Sequence, residues 1–252
     1  MKIAIPSKGR VGIMTTHKLF NKDVYIFVEP QEFWLYSEAY PNLNIVDIKQ
    51  NDQWVAYVRN FILDYFADED YLFVLDDDIK QFLYKSKYIL LDVMSKALEI
   101  QGIMELENCW QAWFGNFDDL RMTKNSFDFN KKIIVNSIFD MRLVKKYNIR
   151  YDNTLKVFED VDITLQFLKN WVRTLLYNWV GYKTDWFKLR KAGKQIGGCK
   201  NDWTLANSVR WYEILRDRYG DDIIDKKVSP EWTYRLKIQR AKAFKKFKTP
   251  WK

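Results

Sequence analysis

Three adjacent aspartates, Asp76, Asp77 and Asp78, follow the unbroken apolar run Tyr71 to Leu75. Like charges so close together repel, and each is costly to bury without a partner. A hydrophobic strand would deliver them to its C-terminal end, where open α/β sheets bind ligands. A divalent cation is the simplest offset for that repulsion, and Mg²⁺ or Mn²⁺ prefers carboxylate oxygen. Such an ion bridges protein carboxylates to a substrate diphosphate and stabilises charge on a leaving phosphate. If Asp76 closes the strand, side-chain alternation puts Asp76 and Asp78 on one side. Asp78 is then the expected direct ligand, Asp76 a metal or ribose ligand, and Asp77 is left open. The competing reading is a solvent-facing acidic turn.

A second acidic cluster, Glu159, Asp160 and Asp162, lies in FEDVD. One of these could take a proton from an attacking hydroxyl. Equally, acidic residues at a helix start complement the helix dipole. Basic or flexible groups that could face a nucleotide are Lys8 and Arg10 after the first strand, Arg59 and Asn60 in VAYVRN, and Gly193, Gly197 and Gly198 in a late loop. Each has an ordinary alternative as a surface or turn residue. His17 is the one histidine, which excludes multi-histidine zinc chemistry within the chain and itself reads as structural. Cys109 and Cys199 show no disulfide framework and suggest a reducing compartment. The standard dinucleotide and P-loop signatures are absent.

The elements that must position these residues follow from periodicity and breakers. Strands are predicted at Lys2 to Ile5, Val24 to Val28, Ile45 to Ile48 and Tyr71 to Leu75. Helices are predicted at Phe33 to Ala39 and, with Asp52 as cap, through Val55, Ile62 and Phe66. Strand and helix alternate, which argues for one α/β domain with a mostly parallel central sheet. Further on, Ile89 to Ile100 reads as helix, Glu105 to Phe114 as strand, Phe117 to Asn130 as loop, Ile133 to Val135 as strand and Ile138 to Tyr147 as helix. Asp160 opens another helix, Trp171 to Trp179 reads as strand, Ala192 to Lys200 as loop and Trp203 to Tyr219 as helix.

The chain has 252 residues and a net charge of +8, with 48% hydrophobic and 17% aromatic residues. Residues 226–252 hold 10 Lys or Arg against one acidic residue, leaving 31 basic and 32 acidic residues in 1–225. The basic excess is therefore a C-terminal segment, expected as an amphipathic helix or an arm ordered on a partner. It suits a polyanion, nucleic acid or an acidic membrane surface, or merely solvates the end. No window approaches a membrane span, and the start MKIAIPSKGR is too short in apolar residues for a signal peptide, so the expected location is cytoplasmic.

Taken together, IPSKGR near the start, VRN before the acidic strand, LDDDI, FEDVD and the late glycine pair resemble the phage glycosyltransferases that decorate hypermodified DNA bases, the TET-associated glycosyltransferases. The resemblance implies a type A glycosyltransferase fold over residues 1–225, followed by the basic segment 226–252. It implies that Asp76 and Asp78 bind Mn²⁺ or Mg²⁺, and that Lys8, Arg10, Gly197 and Gly198 lie by a UDP-sugar donor. Glu159, Asp160 and Asp162 match the acceptor-side acids. The implied acceptor is 5-hydroxymethylcytosine in double-stranded DNA, in the cytoplasm of an infected bacterial host. Trp110, Trp113, Phe114, Phe117 and Phe127 are candidates for stacking on a base, although core packing is the commoner role. Competing readings are a metal-dependent nuclease or nucleotidyltransferase, a sugar transferase with a non-DNA acceptor, and a non-catalytic nucleic-acid-binding protein.

Overall fold

The computed structural model describes residues 1–20, 23–84, 87–90, 92–116, 125–130, 136–155, 158–184, 205–228, 234–238 and 243. The first half is a parallel unit. Strand β1 (Lys2–Pro6) pairs in parallel with β2 (Val24–Val28) on one side and β4 (Tyr71–Val74) on the other, and β3 (Asn44–Asp47) extends the sheet beyond β2. The chain thus moves outward from β1 through β2 to β3, then returns to the opposite side of β1 to lay down β4. The strand order reverses between β1 and β4, which makes their C-terminal ends a topological switch point, the usual ligand crevice of such sheets.

The sheet continues in the order β3-β2-β1-β4-β9-β7-β10-β5-β6, with β8 (Phe127–Phe129) pairing with β10. Strand β9 (Ser137–Asp140) runs antiparallel to both β4 and β7 (Cys109–Asn116), and β7 is parallel to β10 (Arg173–Thr184). Six strands, β1 to β4, β7 and β10, therefore share one direction, with β9 inserted against them. Strands β5 (Ile79–Tyr84) and β6 (Lys87–Leu90) form the antiparallel far edge.

Both sheet faces are covered, as the apolar strands require. On one face Ile3, Ile5, Phe73 and Phe114 pack with Ala97, Ile100 and Met104 of α3 (Val93–Glu107) and with Tyr36 of α1 (Pro30–Ala39). On the other, Ala4, Leu72, Val74, Trp110 and Phe139 pack with Ile62 and Leu63 of α2 (Val55–Tyr65) and Phe167 of α5 (Glu159–Lys169). The period-two alternation of Ile3, Ala4 and Ile5, and of Leu72, Phe73 and Val74, assigns these residues to opposite faces. A third cluster joins Val161, Leu165 and Leu168 of α5 to Trp211, Leu215 and Tyr219 of α6 (Leu205–Tyr219), a C-terminal helix carrying Arg210, Arg216 and Arg218.

Several predicted elements shift. Helix α1 begins at Pro30, because proline is accommodated at the first helical position. Asp52 does not cap α2: it adopts a φ of 55°, and Trp54 is the N-cap without a side-chain bond. The predicted helix Ile89 to Ile100 divides into β6 and α3, whose N-cap is Asp92, accepting from the N–H groups of Met94 and Ser95. Glu105 to Glu107 belong to α3, so the predicted strand there starts only at Cys109. The predicted helix Ile138 to Tyr147 divides likewise: Asp140 ends β9 and caps α4 (Met141–Lys146). Residues 127–129 of the predicted loop are a strand.

In the basic segment, β11 (Ile224–Val228) and β12 (Tyr234–Ile238) form an antiparallel ribbon, so the helix expected beyond Pro230 is a strand at Tyr234–Ile238. Tyr234, Leu236 and Ile238 alternate with a period of two, and pairing with β11 satisfies that backbone. Ile133 to Val135 and the loop Ala192 to Lys200 lie outside the described residues.

Trp110 and Phe167 stack with ring centroids 3.3 Å apart in the interior between sheet and α5. Phe167→Ala is expected to cost about 3–5 kcal/mol by leaving a cavity against Trp110, read as a lower midpoint in urea unfolding followed by tryptophan fluorescence.

Candidate active site

The acidic turn sits at the switch point, and its backbone is pinned on all sides. Leu75 N–H continues the strand by donating to Ala4 C=O (2.9 Å). Asp76 N–H donates to Asn136 Oδ1 (2.7 Å), just before β9. Thr16, in the 3₁₀ turn Thr16–Leu19, donates its hydroxyl to Asp76 C=O (2.6 Å) and accepts from Ile79 N–H (2.8 Å). The N–H groups of Thr15 and Thr16 both donate to Asp77 C=O, at 3.0 and 3.3 Å.

Within this frame the aspartates separate by role. Asp77, the one the sequence left open, is buried, with its carboxylate turned under the loop that follows β1. It accepts from Ser7 Oγ (2.5 Å) and is ion-paired with Arg10. Asp78 remains about a quarter exposed (26%), with Arg10 Nη1 3.6 Å from its Oδ2. Asp76 is half-buried. Burial first, and then the charge of Asp78, push its carboxyl up to about 7, against the opposing charge of Arg59.

Helix α1 holds the loop. Glu32, Tyr36 and Tyr40, spaced i, i+4 and i+8 along one line, accept the backbone N–H groups of Gly9 (2.8 Å), Arg10 (3.0 Å) and Gly12 (2.9 Å). Gly9 and Gly12 take φ of 69° and 79°, where a β-carbon would be strained. Burial pushes the Tyr36 hydroxyl up to about 12. It therefore stays protonated and lies 2.8 Å from Ser7 Oγ, whose own proton goes to Asp77. Lys8 is paired with Glu29 (2.7 Å), which also accepts Gln53 N–H (2.8 Å). The sequence contained the Glu32-Tyr36-Tyr40 spacing, but nothing in it showed what that line would grip.

The second acidic cluster opens α5, and its members also divide. Glu159 is buried and ion-paired with Arg59 Nη1 at 2.7 Å. Burial pushes the Glu159 carboxyl up and Arg59 opposes that shift. The Arg59 guanidinium lies 5.4 Å from the Tyr151 ring centroid. Asn60 clamps the same tyrosine's backbone, donating to its C=O (2.8 Å) and accepting its N–H (2.9 Å). Arg59 and Asn60, candidates to face a nucleotide or lie at the surface, here contact Glu159 and Tyr151.

Asp162 is fully buried and accepts from Gln166 (2.7 Å), Arg218 (3.1 Å) and Tyr219 (2.8 Å), so it ties α5 to α6 instead of facing an acceptor. Asp160 is half-buried and accepts Val161 N–H (2.9 Å). The charge of Arg59 interacts with both Asp76 and Asp160, one from each acidic cluster.

Trp110, Trp113 and Phe114 are fully buried core residues and not stacking platforms; Phe127 is half-buried against Phe129. His17 packs edge-on against Tyr40, and burial lowers its pKa. Burial pushes the Cys109 thiol up to about 12, which removes it as a nucleophile. Gly193, Gly197, Gly198, Cys199 and Phe117 lie outside the described residues.

Among the described residues, no group of three or more His, Cys, Asp or Glu side chains comes together to hold a metal. Asp76 and Asp78 instead offer two mutually repelling carboxylates. This suits Mg²⁺-like ions, which take one or two carboxylates and fill the remaining positions with phosphate oxygens and water.

A family model described as TET-Associated Glycosyltransferase matches residues 1–191. No curated relative matches the chain. Among solved structures, the chain is similar to S. aureus TarS 1-349 in complex with UDP-GlcNAc, with 15% identity and a TM-score of 0.54, covering 86% of this chain and 65% of that one. It is also similar to S. aureus TarS (16% identity, TM-score 0.50, 72% and 36% covered) and to a mycobacterial protein (7%, 0.50, 94% and 82%). The chain spans less than two thirds of the length of these two S. aureus structures. At such identities the likeness is one of fold, in keeping with a type A glycosyltransferase. No helix among the described residues is long and apolar enough to cross a membrane.

Two outcomes follow from this geometry. Arg59→Ala leaves Glu159 buried without its counter-charge and is expected to cost about 3–5 kcal/mol; Arg59→Met with Glu159→Leu should recover most of that loss in urea titrations. In cation-free protein, Asp76 keeps its proton to about pH 7, whereas an unfolded aspartate loses it near ~3.9. The folded state then binds the extra proton between these values, so stability falls as pH rises through that window. Thermal midpoints measured in EDTA from pH 4 to 7 should fall more steeply for the wild type than for Asp76→Asn.

Proposed function

Because the chain belongs to the TET-Associated Glycosyltransferase family, we propose that it transfers a sugar from a UDP-sugar to the hydroxymethyl group of 5-hydroxymethylcytosine in double-stranded DNA. The observation that carries this reading is the division of labour in the acidic turn. Asp77 is neutralised internally by Arg10 and Ser7, while Asp76 and Asp78 remain together at the switch point. Asp78, with Asp76, would hold Mn²⁺ or Mg²⁺. That ion, when bound, supplies positive charge to the diphosphate as it departs. Arg10, 3.6 Å from Asp78, stands beside the same charge.

The acceptor is a primary alcohol and a poor nucleophile at neutral pH. In an inverting transfer its oxygen attacks the anomeric carbon, the bond from that carbon to the phosphate oxygen breaks, and the electron pair leaves with UDP. The alcohol's proton passes to Asp160. Of the three carboxylates at the start of α5, Asp160 is the one that, among the described residues, makes no interior contact with a cation or with α6. Glu159 then serves the site through Arg59, and Asp162 through the α5–α6 junction. The host compartment would be the cytoplasm of an infected bacterium, where the modified DNA lies.

With Mn²⁺ and UDP-glucose, the protein should add a hexose mass to hydroxymethylcytosine DNA and none to unmodified DNA, and EDTA should abolish the transfer. Asp160→Asn should lower kcat by roughly 10²–10⁴-fold with donor affinity little changed, measured by mass spectrometry of the DNA and by titration calorimetry with UDP-glucose. Asp78→Ala should lose Mn²⁺-dependent donor binding. Transfer by Asp160→Asn at the wild-type rate would remove the assigned base. DNA cleavage with metal alone would assign the chain to nuclease chemistry.

A further inference from the structure

Asp76 is gripped on both sides of its own residue by two side chains far away in sequence. Asn136 Oδ1 takes its N–H at 2.7 Å, and the Thr16 hydroxyl donates to its C=O at 2.6 Å. Both gripping residues are wholly inaccessible to solvent, at 0% exposure. The amide of Asn136 can face only one way, because a backbone N–H has to meet its oxygen. Its Nδ2 is thereby left buried without a partner among the described residues. An unpaired buried donor offsets much of what the single bond to Asp76 contributes. The net contribution of Asn136 to stability is thereby reduced, and its larger effect is on where Asp76 stands. Thr16 does more than fix one atom: by accepting Ile79 N–H at 2.8 Å it closes the turn beyond Asp78. Its own N–H and that of Thr15 hold the carbonyl of Asp77.

We propose that Thr16 and Asn136 are positioning residues that set the spacing of the Asp76 and Asp78 carboxylates for a divalent cation and the donor diphosphate. The proposal rests on the reading of that pair as the cation and donor site. Neither residue touches the ligand; both act through the backbone of the turn. Outer-shell groups that orient metal ligands typically change metal affinity by roughly 10–100-fold when removed.

Thr16→Val removes the hydroxyl without changing shape, and Thr16→Ser retains it. Mn²⁺ binding, followed by electron paramagnetic resonance, and UDP binding in the presence of Mn²⁺, followed by calorimetry, are read without turnover at a temperature where circular dichroism shows every variant folded. Thr16→Val should weaken both by about tenfold or more, and Thr16→Ser should stay within about threefold of wild type. Asn136→Leu should weaken both as well, with a thermal midpoint close to wild type; should it not fold, the Thr16 pair decides. Wild-type affinities in Thr16→Val, or equal losses in Thr16→Val and Thr16→Ser, would overturn the positioning role. A wild-type protein that binds neither Mn²⁺ nor UDP would instead overturn the reading of the carboxylate pair on which it rests.

Discussion

Three negative charges at the end of a buried strand cannot stand unless at least one is neutralised by the protein itself, and Asp77 is that one. Its carboxylate takes the guanidinium of Arg10 and the hydroxyl of Ser7. The bond from Ser7 is oriented in turn by Tyr36, and Tyr36 is fixed by α1. Remove this inward anchor and Arg10, which also lies 3.6 Å from Asp78, would no longer offset the crowding of the three carboxylates at the switch point. With it, the shortest contact of the internal counter-charge falls on the middle residue, and Asp78 keeps about a quarter of its side chain exposed. The constraint is electrostatic before it is geometric, and the hydrogen bonds of Thr16 and Asn136 then fix the positions that the charges require.

A second cation does the corresponding work deeper in the fold. Arg59 is buried against Glu159 and the face of Tyr151, and its field reaches Asp76 and Asp160. A buried ion pair is weak evidence of net stability, since desolvating both partners offsets most of their attraction. Its effect here is relational: α2, the segment around Tyr151 and the start of α5 cannot shift independently while it holds. Asp162, locked to Arg218 and Tyr219, extends the same register from α5 to α6. The segments that carry the two acidic clusters are thereby tied to one another through named side-chain contacts.

How far the sequence could be read depended on the range of the interaction. Strands β1, β2 and β4 and helix α5 were legible, because their patterns are local and either strongly apolar or of clear helical period. The role of Asp77 was not, because its partners Ser7 and Arg10 lie 70 and 67 residues away. Arg59 and Asn60 looked like surface or ligand groups for the same reason, with partners 100 and 91 residues distant. Alternation set Asp77 apart from Asp76 and Asp78 on the premise that Asp76 closes the strand, but β4 ends at Val74 and Asp77 and Asp78 lie in a turn, and the pattern gave no sign of where a counter-charge would come from. Strand β5 escaped because it starts directly after the acidic turn, with no breaker to announce it. The ribbon at Tyr234–Ile238 escaped because five residues of mixed charge and apolarity fit either period.

The line of Glu32, Tyr36 and Tyr40 along α1 has one more result. The peptide N–H groups of Gly9, Arg10 and Gly12 are all spent on that helix. These three amides of the glycine-bearing stretch after β1 are therefore not on offer to an incoming anion in the way those of glycine-rich nucleotide loops are. An anion docking at this corner would find those three amides already committed, so guanidinium and ammonium groups would carry more of its capture, which makes that capture more sensitive to salt than a nest of amides would be.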